Sequence, residues 1–389
     1  MKNTTQSHNR QINFLGTEEF KSEVVIEAPG RINLIGEHID YNGGHVLPAA
    51  IDKKIKLSFR KNNSSICTIY SKNYDTSFSF RLDEVKPSDE EWQNYILGVV
   101  HFIEELKPNS VKGFECIIES MLPMGSGLSS SAALECGMAT GIKELFDINL
   151  SKEQIITLSR DAEHNYVGTK CGIMDQFAVV RGAKNHLILL NCQNLNYELV
   201  KSDFDPYQLV LLNSNVSHNL ASSEYNTRRQ ECEDALKVVN QKYPQYEYLV
   251  DVPEDIMVGF KEELPEKTYN RAIYVVQENK RTLMAANALE DELFDLFGSL
   301  LYKSHEGLTT LYEVSCNELD FMVDYSKNYD YVLGSRMMGG GFGGCTINLV
   351  DQDHVAEYIA GISKAYKEKF NTELTPIEVN ISNGVSKIN

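Results

Sequence analysis

The chain has 389 residues, 42% hydrophobic and 24% charged, the balance of an ordinary folded protein long enough for two domains. With Lys plus Arg at 37 against Asp plus Glu at 55, the net charge is −18, which argues against nucleic acid or an anionic membrane as the main partner. The 8 cysteines are scattered without a Cys-x-x-Cys pair, and no apolar run approaches the length of a membrane span, so a zinc site, a disulfide framework and a transmembrane helix are not expected.

Residues 1–22 read as a polar arm with a short helix. They carry no apolar h-region, so no secretory signal is expected and the chain is assigned to the cytoplasm, where scattered thiols stay reduced. A short strand, Val24–Ala28, leads into Pro29–Gly44, which packs Arg31, Asn33, Glu37, His38, Asp40 and Asn42 between glycines and beside Ile32, Leu34 and Ile35. Such crowding points to the lining of a site. Carboxylates accept hydroxyl hydrogens, imidazole accepts or donates, and arginine holds phosphate or carboxylate, so a polyhydroxylated ligand would satisfy the set. Metal ligation is the alternative, although Glu-His-x-Asp lacks the helical His-Glu-x-x-His spacing; a solvated turn is the plain one.

Strands are predicted at Val46–Ile51, Ile55–Phe59, Ser64–Tyr70 and Ser77–Phe80, then a helix at Glu91–Leu106. That helix carries Trp92, the only tryptophan, which suits either a purine ring or core packing. Gly113–Met121 alternates like a half-buried strand and Ala132–Phe146 suits a closely packed helix. Between them, Leu122-Pro-Met-Gly-Ser-Gly-Leu-Ser-Ser-Ser-Ala-Ala133 reads as strand, glycine loop, helix start, where unpartnered backbone N–H groups and the helix dipole favour an anion. Gly125 and Gly127 let the backbone approach, while Ser129, Ser130 and Ser131 supply hydroxyls to phosphate or metal. No lysine completes a Walker A loop, and Ser130 stands where a dinucleotide fingerprint needs its third glycine. A serine-capped helix after a glycine turn is the plain alternative.

Ser151 to Gln154 is a capping box opening a helix, Ile155–Asn165, whose second half holds Asp161, Glu163 and His164. In Val167–Ala178 one carboxylate, Asp175, stands among apolar neighbours, a setting that can tune a base; capping the next helix is its other reading. Gly182–Leu190 is strand-like, and Asn191–Asp205 is polar enough to carry a domain boundary, drawn at 200/201. Leu209–Asn215 is a buried strand. A helix then starts at Tyr225 and reaches about Tyr243, 244–268 is an irregular connector, and helices follow over Asn270–Leu301 and Thr309–Ser326. Gly334–Gly344, with five glycines around Phe342, leads into the strand Cys345–Val350; a backbone or ligand must come close there.

Four stretches in one order, Gly30–Gly44, Leu122–Ala133, Cys171–Phe177 and Gly339–Gly344, resemble the GHMP small-molecule kinases over nearly the whole chain from residue 20. The first of them resembles the branch that acts on galactose. The resemblance implies an α+β fold of two domains, residues 1–200 like the second domain of ribosomal protein S5 and residues 201–389 with a ferredoxin-like core, with the active site in the cleft between them. It implies an enzyme that phosphorylates galactose at the C1 hydroxyl with ATP. Asp175 would take the hydroxyl proton and Arg31 would stabilise the transferring group, while Glu37, His38, Asp40, Gly172, Asp175 and Tyr225 hold the sugar. Gly125, Ser126, Gly127, Leu128, Ser129, Ser130 and Ser131 would cradle the phosphates beside Trp92, with Ser131 and Glu163 on Mg²⁺ and Gly339–Gly344 supporting the catalytic region. A monomer is expected. Ile39 and Met338 replace threonines common in the family. A kinase for N-acetylgalactosamine or arabinose is one alternative; a sensor that binds sugar and ATP without catalysis is another, disfavoured because Ser131-Ala132 is intact.

Overall fold

The computed structural model describes residues 20–123, 125–217 and 221–388. The expected N-terminal arm up to residue 19, Met124 and residues 218–220 lie outside the described residues.

The first half of the chain builds two sheets. Its strands are β1 (Val24–Asn33), β2 (His45–Val46), β3 (Pro48–Lys61), β4 (Ile66–Ser71), β5 (Thr76–Arg81), β6 (Phe114–Ser120), β7 (His186–Asn191) and β8 (Tyr197–Lys201). Its helices are α1 (Glu91–Leu106), α2 (Ser130–Phe146), α3 (Lys152–Ala162) and α4 (Met174–Arg181). The larger sheet runs β13-β1-β3-β6-β4-β5, where β13 (Ser386–Lys387) comes from the far end of the chain, and the smaller runs β2-β7-β8.

Two strands outgrow their expected bounds. β1 continues past Ala28 through Pro29, because the register against β3 shifts between Pro29 and Arg31 and a bulge tolerates the missing N–H. β3 is one strand through Asp52–Lys54, where the sequence pattern breaks only because the facing surface changes from buried to half-exposed. The helix at Glu91 and the capping box at Ser151 stand as read, but α3 ends at Ala162 and Glu163–Val167 forms a wider π turn closed by left-handed Gly168.

The second half holds the antiparallel sheet β10-β11-β9-β12, made of β9 (Tyr207–Ser217), β10 (Val332–Met337), β11 (Gly343–Asp351) and β12 (Thr375–Glu378). Its helices are α5 (Ala221–Asn240), α6 (Glu254–Gly259), α7 (Glu266–Glu290), α8 (Phe294–Thr310), α9 (Asn317–Ser326) and α10 (Val355–Phe370). Tyr225 therefore sits in the second turn of α5, not at its start. The connector at 244–268 is partly ordered into α6 and a 3₁₀ turn at Leu249–Asp251. The helix expected from Asn270 to Leu301 is two helices, broken where Glu292 takes a left-handed φ of 56°. The mixed α+β, two-domain expectation holds, yet the halves are not contiguous: the cut at 200/201 falls inside β8, and Ile381 and β13 return to the first sheet. Among the described residues no helix is long and apolar enough to cross a membrane.

The helix α2 lies directly on β1 and β3 because its inner face is made of small residues. A Cβ on Gly137 would stand 2.7 Å from Leu57 and 2.9 Å from Ala28, and one on Gly141 would collide with the buried Phe59 ring. This close seating fixes the helix end on which the glycine-serine loop is built. Gly141→Val should therefore destabilise the protein by about 3 kcal/mol, the upper part of the overpacking range. Urea denaturation measures it, and Phe59→Leu in the same chain should recover part of the loss; an unchanged midpoint would contradict this packing.

Candidate active site

The site forms where β1 meets the loop before α2. A Cβ on Gly30 would stand 2.8 Å from the Leu128 carbonyl oxygen, so only glycine lets the loop dock there. Next to it the Arg31 backbone N–H donates to the same carbonyl at 3.1 Å. The Arg31 guanidinium, in a residue 4% exposed, has three partners: Nη1 donates to the Gly127 carbonyl at 2.5 Å, and Nε and Nη2 donate to the two Asp175 oxygens at 2.7 and 2.9 Å. This two-point pairing is what guanidinium geometry offers carboxylates and phosphates. Burial opposes its charge, but Asp175, Glu37 and Asp40 outweigh burial and raise its pKa.

Asp175 lies inside the first turn of α4, whose cap position is Ile173, so it is not the cap of that helix. Its carboxylate also accepts from the Ser129 hydroxyl. Ser129 precedes α2 in a left-handed conformation (φ 54°) and makes no capping bond with its side chain. A serine cap is thereby excluded at this residue, and among the described residues the first N–H groups of α2 have no side-chain partner, the arrangement an anion at a helix end can use.

The loop residues divide by what they can offer. Gly125 and Gly127 adopt left-handed φ of 66° and 72°, which orients their amides without strain. Ser126 is buried and donates to the Pro123 carbonyl at 2.7 Å, and Leu128 is packed in the core, so these two offer backbone only. Ser130 and Ser131 instead face a cavity of about 210 Å³ together with Trp92, Tyr74, Tyr95 and Leu134. Tyr74 stacks on Trp92 with ring centroids 5.9 Å apart, leaving the indole at a cavity wall.

A second cavity, of about 120 Å³, brings together Arg31, Glu37, His38, Asp40, Glu163, Gly172, Asp175 and Tyr225. Gly172 has to be glycine because a Cβ would collide with the Asp40 carboxylate. Burial, then the charge of Asp175, pushes the Asp40 pKa up to about 7 despite backbone hydrogen bonds from Tyr41 and Met174. The same two causes push Glu163 up to about 7, against hydrogen bonds from Cys171, Ser131 and Gln176. His38 holds a left-handed φ of 64°, and burial lowers its pKa to about 3, so its ring is neutral.

The second half closes this cavity with backbone. The Gly339 N–H donates to Glu37 Oε1 at 2.8 Å and Arg336 Nη2 stands 3.3 Å from the same oxygen. A Cβ on Gly341 would collide with the Val314 carbonyl, and one on Gly339 would touch the Gly127 carbonyl at 3.4 Å. The glycine run is thus a place where other stretches of backbone come close, as its composition implied.

Sequence reasoning missed Glu135 and Gln176. Gln176 Nε2 donates to Glu163 at 3.0 Å and to fully buried Glu135 at 3.3 Å, and Glu135 Oε1 and the Gln176 side-chain oxygen Oε1 have no partner among the described residues. A signal existed: Glu135 stands four residues after Ser131, on the same face of α2. The two departures from the family pattern are packing residues. Ile39 is buried over Gly44, outside the cavity lining, and Met338 sulfur accepts the Asn33 N–H at 3.4 Å.

Comparison with known proteins follows the same lines. Residues 94–183 match the GHMP kinases N terminal domain, 285–368 the GHMP kinases C terminal domain, and 17–61 the galactokinase galactose-binding signature. A galactokinase of Thermotoga petrophila is 41% identical over 93% of this chain and 99% of its own length. One of Clostridium acetobutylicum is 39% identical over 96% of this chain and 98% of its own. A crystal structure of Lactococcus lactis galactokinase complexed with galactose superposes with a TM-score of 0.93 at 33% identity, covering 99% of this chain and 100% of that one. A mevalonate kinase structure, at 20% identity and a TM-score of 0.65 over 93% of this chain and all of its own, shares the fold. The chain therefore belongs to the galactokinases of the GHMP kinase family.

Proposed function

We propose that Arg31 and Asp175 carry the transfer of the γ-phosphoryl group of ATP to the C1 hydroxyl of galactose, giving galactose 1-phosphate and ADP. The observation that carries this reading is a single carboxylate shared between two places: Asp175 faces the sugar cavity, yet it is bound by Arg31 and by Ser129 of the phosphate loop. A hydroxyl held at Asp175 is thereby brought against the end of the nucleotide, and positioning of that kind supplies much of phosphoryl-transfer catalysis. Asp175 accepts the C1 hydroxyl proton, while Arg31 meets the charge on the transferring oxygens. Glu37, His38, Asp40, Gly172 and Tyr225 complete the sugar's surroundings. The amides of Gly125–Ser131 hold the phosphates, with Trp92 beside the base.

A divalent cation fits the residues present. Among the described residues Glu163 is buried beside further carboxylates with no basic partner of its own, and Glu135 Oε1 and Gln176 Oε1 have no hydrogen-bond partner. Among the described residues no three acidic, His or Cys groups gather into a cage, which agrees with Mg²⁺ held mostly by phosphate and water. Ser131 and Glu163 would hold it, and it would neutralise charge on the β- and γ-phosphates. The eight unpaired cysteines agree with the cytoplasm.

Asp175→Asn should lower kcat by about 10²–10⁴-fold while calorimetry still detects galactose binding; near-normal turnover would remove Asp175 from this role. Asp40 supplies a test with a sign. Its pKa rises from 3.8 to about 7 on folding, so the unliganded protein binds more protons folded than unfolded, and this contribution to stability falls as pH rises through that window. Sugar hydroxyls donating to the carboxylate favour its charged form. Galactose binding should release a fraction of a proton near neutral pH and tighten as pH rises through it. Calorimetry in two buffers of different ionisation heat measures this; Asp40→Asn should abolish the release, and no release in the native protein would contradict a sugar contact at Asp40.

A further inference from the structure

One wall of the cavity lined by Glu37, His38 and Asp40 is a stretch of chain between the π turn and α4 that belongs to no helix or strand. Gly168, left-handed at φ 92°, closes the π turn by donating its N–H to the Glu163 carbonyl at 2.9 Å, and Thr169, Cys171 and Gly172 beyond it line the cavity. Main-chain groups in such a stretch must find side chains or water. Within the first half, His164 Nε2 meets the Cys171 carbonyl oxygen at 2.7 Å. Further partners come from the second half.

They lie on one face of α5. Asn226 grips the stretch at two points: its Oδ1 accepts the Lys170 N–H at 2.9 Å, and its Nδ2 donates to the Gly168 carbonyl at 3.1 Å. Arg229, three residues on and so on the same face of the helix, donates through Nη1 to the Lys170 carbonyl at 2.9 Å. A side-chain amide offers an acceptor and a donor side by side, so Asn226 fixes the position of the main chain around Thr169 whatever its side chains are. Tyr225, the residue before Asn226, turns into the cavity, with its ring centroid 5.1 Å from that of His38. The Arg229 guanidinium also stands over the Tyr41 ring, 5.9 Å from its centroid. This short run of α5 therefore touches two walls of the cavity, the stretch that carries Gly172 and the loop that carries His38.

The position of that stretch matters because there is no slack in it. Gly172 lies so close to the Asp40 carboxylate that a Cβ would collide with it. Movement of the stretch away from α5 shifts Gly172 against Asp40 and opens the cavity beside Tyr225. We propose that Asn226 and Arg229 are positioning residues that hold Gly168–Gly172 against α5, so that the second half of the chain sets the shape of the sugar cavity and with it the affinity for galactose. This rests on the sugar-site reading above and deepens it.

Amide hydrogen exchange of the full chain, read at Lys170 by NMR, tests the clamp together with calorimetry of galactose binding. The double variant Asn226→Ala, Arg229→Gln removes all three bonds. Its Lys170 amide should exchange about 10-fold faster than in the native protein, and its galactose Kd should weaken about 10-fold, the scale of a lost neutral hydrogen bond or two. The KM for ATP at saturating galactose and the exchange of the β1–β3 amides should stay at their native values, which a general loss of structure would not allow. Arg229→Lys in place of Arg229→Gln keeps a donor and should recover part of the galactose affinity. Saturating galactose should slow the Lys170 amide of the native protein, since the sugar favours the docked stretch. An unchanged galactose Kd in the double variant, a Lys170 amide that exchanges no faster in it, or equal losses for galactose and ATP would overturn the proposal. A native protein with a protected Lys170 amide but no galactose binding would instead overturn the sugar-site reading on which it rests.

Discussion

The arginine at position 31 and the aspartate at position 175 hold each other in a two-point pair, and the rest of the site is arranged around that contact. A buried guanidinium keeps its charge and needs a matched partner to offset the cost of burial, and breaking such a pair by removing one side is costly because the other is left uncompensated. Here the pair also carries geometry. The third guanidinium contact, to the Gly127 carbonyl, and the Ser129 hydroxyl on Asp175 tie the glycine-serine loop to the cavity lined by Glu37, His38 and Asp40. Strand β1, the loop before α2 and the first turn of α4 thus meet at one set of atoms.

Backbone packing makes this meeting possible. Gly30 lets the loop dock on β1, Gly172 lets α4's approach pass the Asp40 carboxylate, and Gly341 lets the second half's strand turn fit against Val314. Burial, and after it the charge of Asp175, pushes the Asp40 and Glu163 pKa values up to about 7. In the proposed reading, sugar hydroxyls and a cation would favour the charged forms of these carboxylates, one on each side of Asp175.

Much of this was legible in the sequence where the physics is local. The periodicity of Glu91–Leu106 and the Ser151/Gln154 capping box each depend on neighbours three or four residues away, and both stand as read. The glycine clusters likewise announced close approach without naming what approaches. What escaped was long-range or conformational. No sequence pattern marks the return of Ser386–Lys387 to β1, the left-handed Glu292 that splits α7 from α8, or the grip of Asn226 on Gly168 and Lys170. Ser126 and Leu128 were grouped with their neighbours because a motif does not reveal which side chains turn inward, and the structure turns both of them in.

A crystal structure of the chain with galactose, magnesium and a non-hydrolysable ATP analogue tests the shared aspartate most directly. The account predicts the sugar's C1 oxygen within about 3 Å of the Asp175 carboxylate, a general base's reach, with the terminal phosphate beside Arg31 and the first turn of α2. A C1 hydroxyl turned toward Asp40, or a terminal phosphate held away from Arg31, would contradict it.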